Sequence, residues 1–121
     1  IIAINYAGWY GDEIAKAKQE YQYFSYSPTA SNRLKMLSLK RVDLVIDDEI
    51  VLCSELDRNQ YIELIIHPTV LFETPVYFIF NKVSVSQNFI KRFNSILDEM
   101  RADNSLAMHF YQRLPTRCKA S

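Results

Sequence analysis

The stretch KRVDLVIDDE, residues 40–49, decides the fold class that this sequence predicts. An apolar run from Val42 to Ile46, interrupted by Asp43, predicts a buried strand, and it ends on three consecutive acids, Asp47, Asp48 and Glu49. Two interpretations of these acids stay open. They open a helix, whose positive end favours negative charge, or one of them meets a ligand at the carboxyl end of a strand in an open α/β sheet.

Strands alternate with helices on both sides of this stretch. Before it, the sequence predicts a strand at Ile1–Asn5, a helix opened by Asp12 and Glu13, a strand at Tyr21–Tyr26, and a helix at Asn32–Lys40 capped by Ser31. After it come a predicted helix from about Asp48 to Asp57 and a strand at Ile62–Ile66. This alternation implies an α/β fold with a parallel-rich sheet flanked by helices.

The apolar stripes of these helices predict which side chains face the core. In the helix at Asn32–Lys40, Leu34 and Leu37 form the stripe, and Arg33 lies on the solvated side. In the next helix the inward-facing residues are predicted to be Ile50, Val51 and Leu56.

The second part of the chain is mostly helical. Residues 73–75 form a predicted connector, Val76–Phe80 a strand, and Ser86–Asp103 a helix capped by either Ser84 or Ser86. A last helix, Leu106–Leu114, is ended by Pro115. The long helix has the clearest periodicity in the chain, and its stripe is predicted to form one buried face: Phe89, Phe93, Ile96, Leu97 and Met100.

Composition narrows the functional classes. Lys and Arg number 14 and Asp and Glu also 14, with no segregated basic face, which argues against a duplex nucleic-acid binder. Two glycines leave no room for a glycine-rich phosphate loop. His67 and His109 have no partners at metal-ligand spacing, and no nucleophile and base are paired in a catalytic pattern. We therefore expect a protein that is not an enzyme and that needs no cofactor or metal.

Cys53 and Cys118 are 65 positions apart and match no metal spacing. They form one disulfide if the compartment is oxidising, or they remain two free buried thiols. The second interpretation is preferred at this stage.

The order of these segments resembles the second half of the type 2 periplasmic solute-binding proteins, the bacterial extracellular family 3 receptors of ABC importers. The similar segments are the YGDE loop, RVDLVIDDE with Asp43 and Asp48 five residues apart, PVYFIFNK, and FNSILDEMRADNS. The resemblance implies a second-lobe α/β domain at residues 1–73. Residues 74–121 would then contain the segment by which the chain crosses back to the first lobe, followed by a strand and C-terminal helices that belong to that lobe.

The resemblance also implies a ligand site. The family's matching carboxylate pairs with the ammonium of a bound amino acid, which assigns that role to Asp48, although helix capping is an equal alternative. The loop bearing Trp9, Tyr10 and Gly11 lies where the family holds the ligand carboxylate. Here the usual hydroxyl residues are absent, which puts amino-acid specificity in doubt, and packing is the preferred role for Trp9.

The implied function is an extracytoplasmic, periplasmic receptor that binds a small polar solute such as an amino acid between two lobes and delivers it to the membrane subunits of an ABC importer. The alternative is a receptor-like sensor or interaction domain that has lost ligand binding. Because the chain starts directly in a strand, we expect a fragment or one part of a longer protein. The apolar strand Val76–Phe80 then needs either a homodimer partner or the missing first lobe. The alternative is that Phe89–Leu114 folds back and covers the strand within one chain, and association or a longer chain is preferred.

Overall fold

The computed structural model describes residues 1–119, which form two compact units. The first contains residues 1–73 and the described residues from 115 onward, and the second contains residues 74–114. The chain therefore leaves the first unit after Glu73 and returns to it at Pro115. The last helix, α6 (Thr116–Lys119), is part of the first unit.

The first unit is built on a small parallel sheet with the strand order β2-β1-β3. Its elements, in chain order, are β1 (Ile2–Ile4), α1 (Asp12–Glu20), β2 (Phe24–Tyr26), α2 (Ala30–Ser38), β3 (Leu44–Val45) and α3 (Glu49–Asn59). Ile2 is opposite Phe24 on one side and Leu44 on the other. The crossovers that contain α1 and α2 run in opposite directions across the sheet, from β1 to β2 and from β2 back past β1 to β3. The predicted α/β class, with a parallel sheet flanked by helices, is confirmed.

The core of this unit surrounds the central strand. Ala3 and Ile4 in β1 have no solvent-exposed surface, because β1 has a neighbouring strand on each side. The other buried apolar side chains come from α2, α3 and the residues before β3: Leu34, Cys53, Leu56 and Val42. Leu34 and Leu56 are therefore inward, as predicted.

Several predictions about side chains in the first unit are wrong. Ile50 and Val51 are largely exposed, because the first turn of α3 lies beyond the end of the sheet. Asp43 is also exposed, although it precedes β3 directly. Arg33 is buried with 3% of its surface exposed, because its charge is paired inside the protein.

The predicted strand at Ile62–Ile66 is absent from the described structure. Turn hydrogen bonds occupy its beginning, where Leu64 N–H donates to Tyr61 O at 3.4 Å. An apolar run becomes a strand only when another strand is available to pair with its backbone, and the sheet ends at β3.

The second unit consists of an irregular segment and two packed helices, α4 (Gln87–Ala102) and α5 (Ser105–Arg113). Ser86 caps α4 by accepting a hydrogen bond from Phe89 N–H at 3.2 Å. The predicted strand Val76–Phe80 is absent from the described structure, because these residues have no strand partner there.

The stripe of α4 is only partly covered within the second unit. Phe93 makes edge-to-face contacts with Phe78 and Phe80 at ring-centre distances of 5.0 and 5.1 Å. Phe89 and Ile96 remain about half exposed, so the prediction of one fully buried face is wrong for this chain. The irregular segment and α5 provide too few side chains to cover the stripe.

The tail is attached to α3 by a disulfide between Cys53 and Cys118, so the preference for free thiols is wrong. Helix α6 packs against α3, and Arg117 donates to Leu64 O at 3.1 Å. Arg117 Nε also lies 3.8 Å from Asp57 Oδ1. The disulfide forms because these contacts bring together two cysteines that are 65 residues apart in sequence.

Candidate functional site

The carboxyl edge of the sheet brings together the segments that carry the predicted site residues. The loop after β1 contains Trp9, Tyr10 and Gly11, and the turn after β3 contains Asp48. Because β1 and β3 are parallel neighbours, their carboxyl ends meet at one edge. The chain crosses from β2 to β3 over the central strand, so the strand order reverses between β1 and β3. In open α/β sheets this reversal leaves a crevice in which ligands bind.

The loop after β1 is organised by Asn5. Its backbone N–H donates to Tyr10 Oη at 2.9 Å, and its side-chain Oδ1 accepts from Ala7 N–H at 3.2 Å. Its carbonyl accepts from Gly8 N–H at 3.1 Å. A Cβ at Gly8 would lie 2.6 Å from the Tyr10 ring, so the loop needs glycine there to let the ring fold back. Tyr10 is therefore a buried packing residue of the loop.

Gly11 forms the N-cap of α1 with a φ of 89°, in the region that favours glycine. Its carbonyl accepts from Ala15 N–H at 3.0 Å, and no side chain caps the helix. Asp12 and Glu13 occupy the first turn. The amides at this end of α1 therefore lie beside two carboxylates, which disfavour a ligand anion.

Asp48 is the N-cap of α3. Its Oδ1 accepts hydrogen bonds from Ile50 N–H at 2.9 Å and Val51 N–H at 3.1 Å, which stabilises the start of the helix. The side chain is exposed at the carboxyl edge, and its other oxygen, Oδ2, makes no hydrogen bond with residues 1–119. The capping role and a free carboxylate oxygen therefore coexist in one side chain.

Asp47 has a different task from Asp48. It forms an ion pair with the buried Arg33, whose guanidinium also donates to the carbonyl of Ser27. Asp47 Oδ1 accepts from Asp48 N–H at 3.0 Å. Ser27 follows β2 and Asp47 follows β3, so Arg33 links the carboxyl ends of the two outer strands. Arg33 Nε is buried without a hydrogen-bond partner in the described chain.

The sequence did not reveal the role of Arg33. This residue lies beside Leu34 on the border of the apolar stripe, and hydrophobic periodicity alone predicts that its side chain is exposed. A usable signal existed in Asp47. A carboxylate directly after a buried strand needs a partner when it does not cap the next helix.

Exposed aromatic rings border the same edge. Trp9 is 61% exposed, Tyr6 in the same loop is 78% exposed, and Tyr26 at the end of β2 is 45% exposed. Tyr6 and Tyr26 contact each other edge to face, with 5.3 Å between ring centres. Trp9 is therefore not packed within the described chain, because most of its surface faces solvent.

Within residues 1–119, no group of three or more His, Cys, Asp and Glu side chains is arranged to hold a metal ion. His67 accepts a local hydrogen bond from Thr69 N–H at 3.2 Å through Nδ1. In the same part of the chain no helix is long and apolar enough to cross a membrane.

The carboxyl edge offers aromatic faces and carboxylate oxygens, which are groups suited to binding a ligand.

Comparison of the chain with protein-family models, with curated proteins and with solved structures finds no match.

Proposed function

We propose that this chain is all or part of an extracytoplasmic solute-binding protein of the type 2 periplasmic fold, which binds a small polar solute for an ABC importer. One observation carries the proposal: Asp48 and the Trp9 loop lie at the carboxyl ends of β1 and β3, where the strand order reverses. The free Oδ2 of Asp48 is suited to pair with a solute ammonium group. Trp9 provides a wall at the same edge.

The disulfide supports an extracytoplasmic, periplasmic location. Disulfides persist in oxidising compartments, whereas cytosolic thiols are generally kept reduced. The Cys53–Cys118 bond joins two helices that are also in contact through Arg117 and Asp57, as expected of a structural bond.

The proposed mechanism is closure of a cleft. Asp48 and the Trp9 loop form one jaw, and a second lobe, from outside this chain or from a second copy, forms the other. The solute stabilises the closed state because only that state makes both sets of contacts. The importer's membrane subunits then recognise the closed form.

The capping geometry of Asp48 allows a discriminating experiment. Asp48→Ala removes both the cap and the charge, whereas Asp48→Ser keeps a good N-cap and removes the charge alone. We expect the free energy of unfolding of Asp48→Ser to lie within a few tenths of a kcal/mol of the parent value, and that of Asp48→Ala to be about 1 kcal/mol lower. Both variants should weaken the binding of an ammonium-bearing solute by about 2 kcal/mol or more.

The measurement is thermal unfolding of the full-length protein with a panel of amino acids and polyamines, followed by titration of any compound that raises Tm. Asp47 is unsuitable as a control because Arg33 depends on it, so Glu99→Gln, an exposed helical carboxylate outside the carboxyl edge, is the matched control. Unchanged affinity in Asp48→Ser would contradict the proposed role.

A second candidate function is an interaction domain without a ligand. Exposed apolar side chains in the second unit favour it, since Val76, Ile79 and Val83 are almost completely exposed. Large apolar surfaces of this kind mark sites of protein association. No response to any solute, together with self-association of the chain, would favour this function over solute binding.

A further inference from the structure

The segments that form the carboxyl edge carry charged side chains of one sign only. The three segments that follow the strands, residues 5–13, 27–29 and 46–49, contain no Lys or Arg, and their acids are Asp12, Glu13, Asp47, Asp48 and Glu49. Arg33 neutralises Asp47. The other four acids are exposed and form no ion pair within residues 1–119. These unpaired acids make the three segments locally negative although the whole chain has a formal charge of zero, and a cation, the Lys18 ammonium, lies beside Tyr26.

The aromatic rings at this edge are placed to contact a ligand. Tyr6, Trp9 and Tyr26 are each between 45% and 78% exposed. The face of an aromatic ring carries negative partial charge and attracts cations, most strongly for Trp. Exposed ring faces of partial negative charge, in segments that also carry unpaired carboxylates, are complementary to a positively charged ligand with apolar surface.

The protein already contains one such interaction. The ammonium group of Lys18 in α1 lies 5.8 Å from the centre of the Tyr26 ring, within the range of a cation–π contact. A lysine side chain therefore lies against part of the aromatic surface.

We propose that Tyr6, Trp9 and Tyr26 form a recognition surface for a small organic ammonium ion, with the carboxylates of the edge supplying long-range attraction. This inference rests on the proposed solute-binding function and narrows its ligand class. It favours a cationic solute over a zwitterionic or anionic one, because Asp12 and Glu13 occupy the first turn of α1, where a ligand carboxylate would bind.

Trp9 makes the test direct, because it is the one tryptophan of the chain and it lies in the proposed surface. Its fluorescence is titrated with choline and, in parallel, with 3,3-dimethylbutan-1-ol, which has nearly the same shape without the charge. Ionic strength is held constant with NaCl. We expect saturable quenching or a spectral shift with choline and none with the neutral alcohol over the same concentration range.

Three variants assign the response to the rings. Tyr6→Leu removes an exposed ring and should lower the affinity for choline about two- to fivefold. This change corresponds to the ~0.5–1 kcal/mol of an exposed cation–π contact. Tyr77→Leu removes an exposed ring in the second unit and should change nothing. Lys18→Met frees the Tyr26 ring and removes a positive charge, so it should tighten choline binding.

The outcomes separate this inference from the proposed function. Equal responses to choline and the neutral alcohol, or weaker choline binding by Lys18→Met, overturn the ammonium surface. A saturable response to glutamate or another anionic amino acid, with none to choline, also overturns it while leaving the proposed solute-binding function in place. No saturable response to choline, to amino acids or to polyamines overturns both.

Discussion

Arg33 determines the geometry of the carboxyl edge through a single buried guanidinium. It reaches the carbonyl of Ser27 after β2 and the carboxylate of Asp47 after β3. Asp47 in turn accepts from the backbone of Asp48. The position of Asp48, the carboxylate proposed to bind the solute, therefore depends on Arg33, which is itself buried and inaccessible to any ligand.

Breaking this pair should be more harmful than replacing it. We expect Arg33→Met to lower the free energy of unfolding by about 3 kcal/mol, because Asp47 is left mostly buried without its partner. The double variant Arg33→Met/Asp47→Leu should recover much of that loss, since a well-packed apolar pair avoids the cost of desolvating charge. Urea unfolding of the parent and both variants measures the difference. A double variant less stable than Arg33→Met would contradict this account.

Helices and strands differ in how much of their formation is encoded locally. Helix α5 begins at a local signal: Asp103 Oδ1 accepts from Ser105 N–H at 2.8 Å, beside the left-handed residue Asn104. Hydrogen bonds from the Ser105 side chain and backbone hold the pKa of Asp103 below its ordinary value of 3.8. The ionised carboxylate is therefore the form that the folded helix start favours.

The lowered pKa of Asp103 gives a pH dependence with a definite sign. The contribution of ionised Asp103 to folding stability is fully present above its ordinary pKa of 3.8. It is lost as the pH falls through the lower pKa that this group has in the folded state. We expect the parent's helix content, followed by circular dichroism, to fall more steeply below about pH 4 than that of Asp103→Asn, which keeps an acceptor but does not titrate. Identical acid profiles would show that this carboxylate has no part in acid unfolding.

The same difference explains what the sequence could and could not predict. The starts of α3 and α4 were predictable within a residue or two from the caps Asp48 and Ser86, because a cap acts on its own helix. The start of α1 was predictable from its first-turn acids, Asp12 and Glu13. The start of α2 shifted from Ser31 to Thr29, which accepts from Asn32 N–H. The runs at 62–66 and 76–80 look like strands in sequence, but a strand needs a neighbour that composition does not specify.

For the candidate site, the local segments were predictable and the distant partners were not. Asp48 and the Trp9 loop follow apolar runs and were found from the sequence. Arg33 and the Cys53–Cys118 bond join positions that lie far apart in the chain. Such pairings depend on the order of strands in the sheet and on the return of the tail, which hydrophobic periodicity does not reveal.

The apolar surface of the second unit determines how the whole molecule behaves in solution. Residues 76–80 are apolar and belong to no helix or strand, with Ile79 95% exposed and no strand partner within residues 1–119. Such a segment is a template for pairing with another strand. We expect light scattering to show species larger than the 14.2 kDa chain, and Ile79→Lys to reduce them. A monomer at all concentrations would contradict this expectation.

The disulfide should contribute strongly to the stability of the first unit. It closes a loop of 65 residues, and the chain-entropy model gives about 4 kcal/mol for a loop of that size. We expect Cys118→Ser to lower the free energy of unfolding by up to that amount, measured in urea against the parent without reductant. Equal stability of the variant and the parent would mean that α6 holds its place through contacts such as Arg117 with Leu64 alone.

The position of that bond also changes what a protease can do. Residues 74–114 leave and re-enter the first unit between the two cysteines, so the whole second unit lies inside a covalent ring. One cut anywhere in it opens the ring and releases nothing, because the two pieces stay joined through sulfur. Nicked protein should run as one band on a non-reducing gel and as two after reduction. A cleaved molecule would thus keep its carboxyl edge and its tail together until it met a reductant.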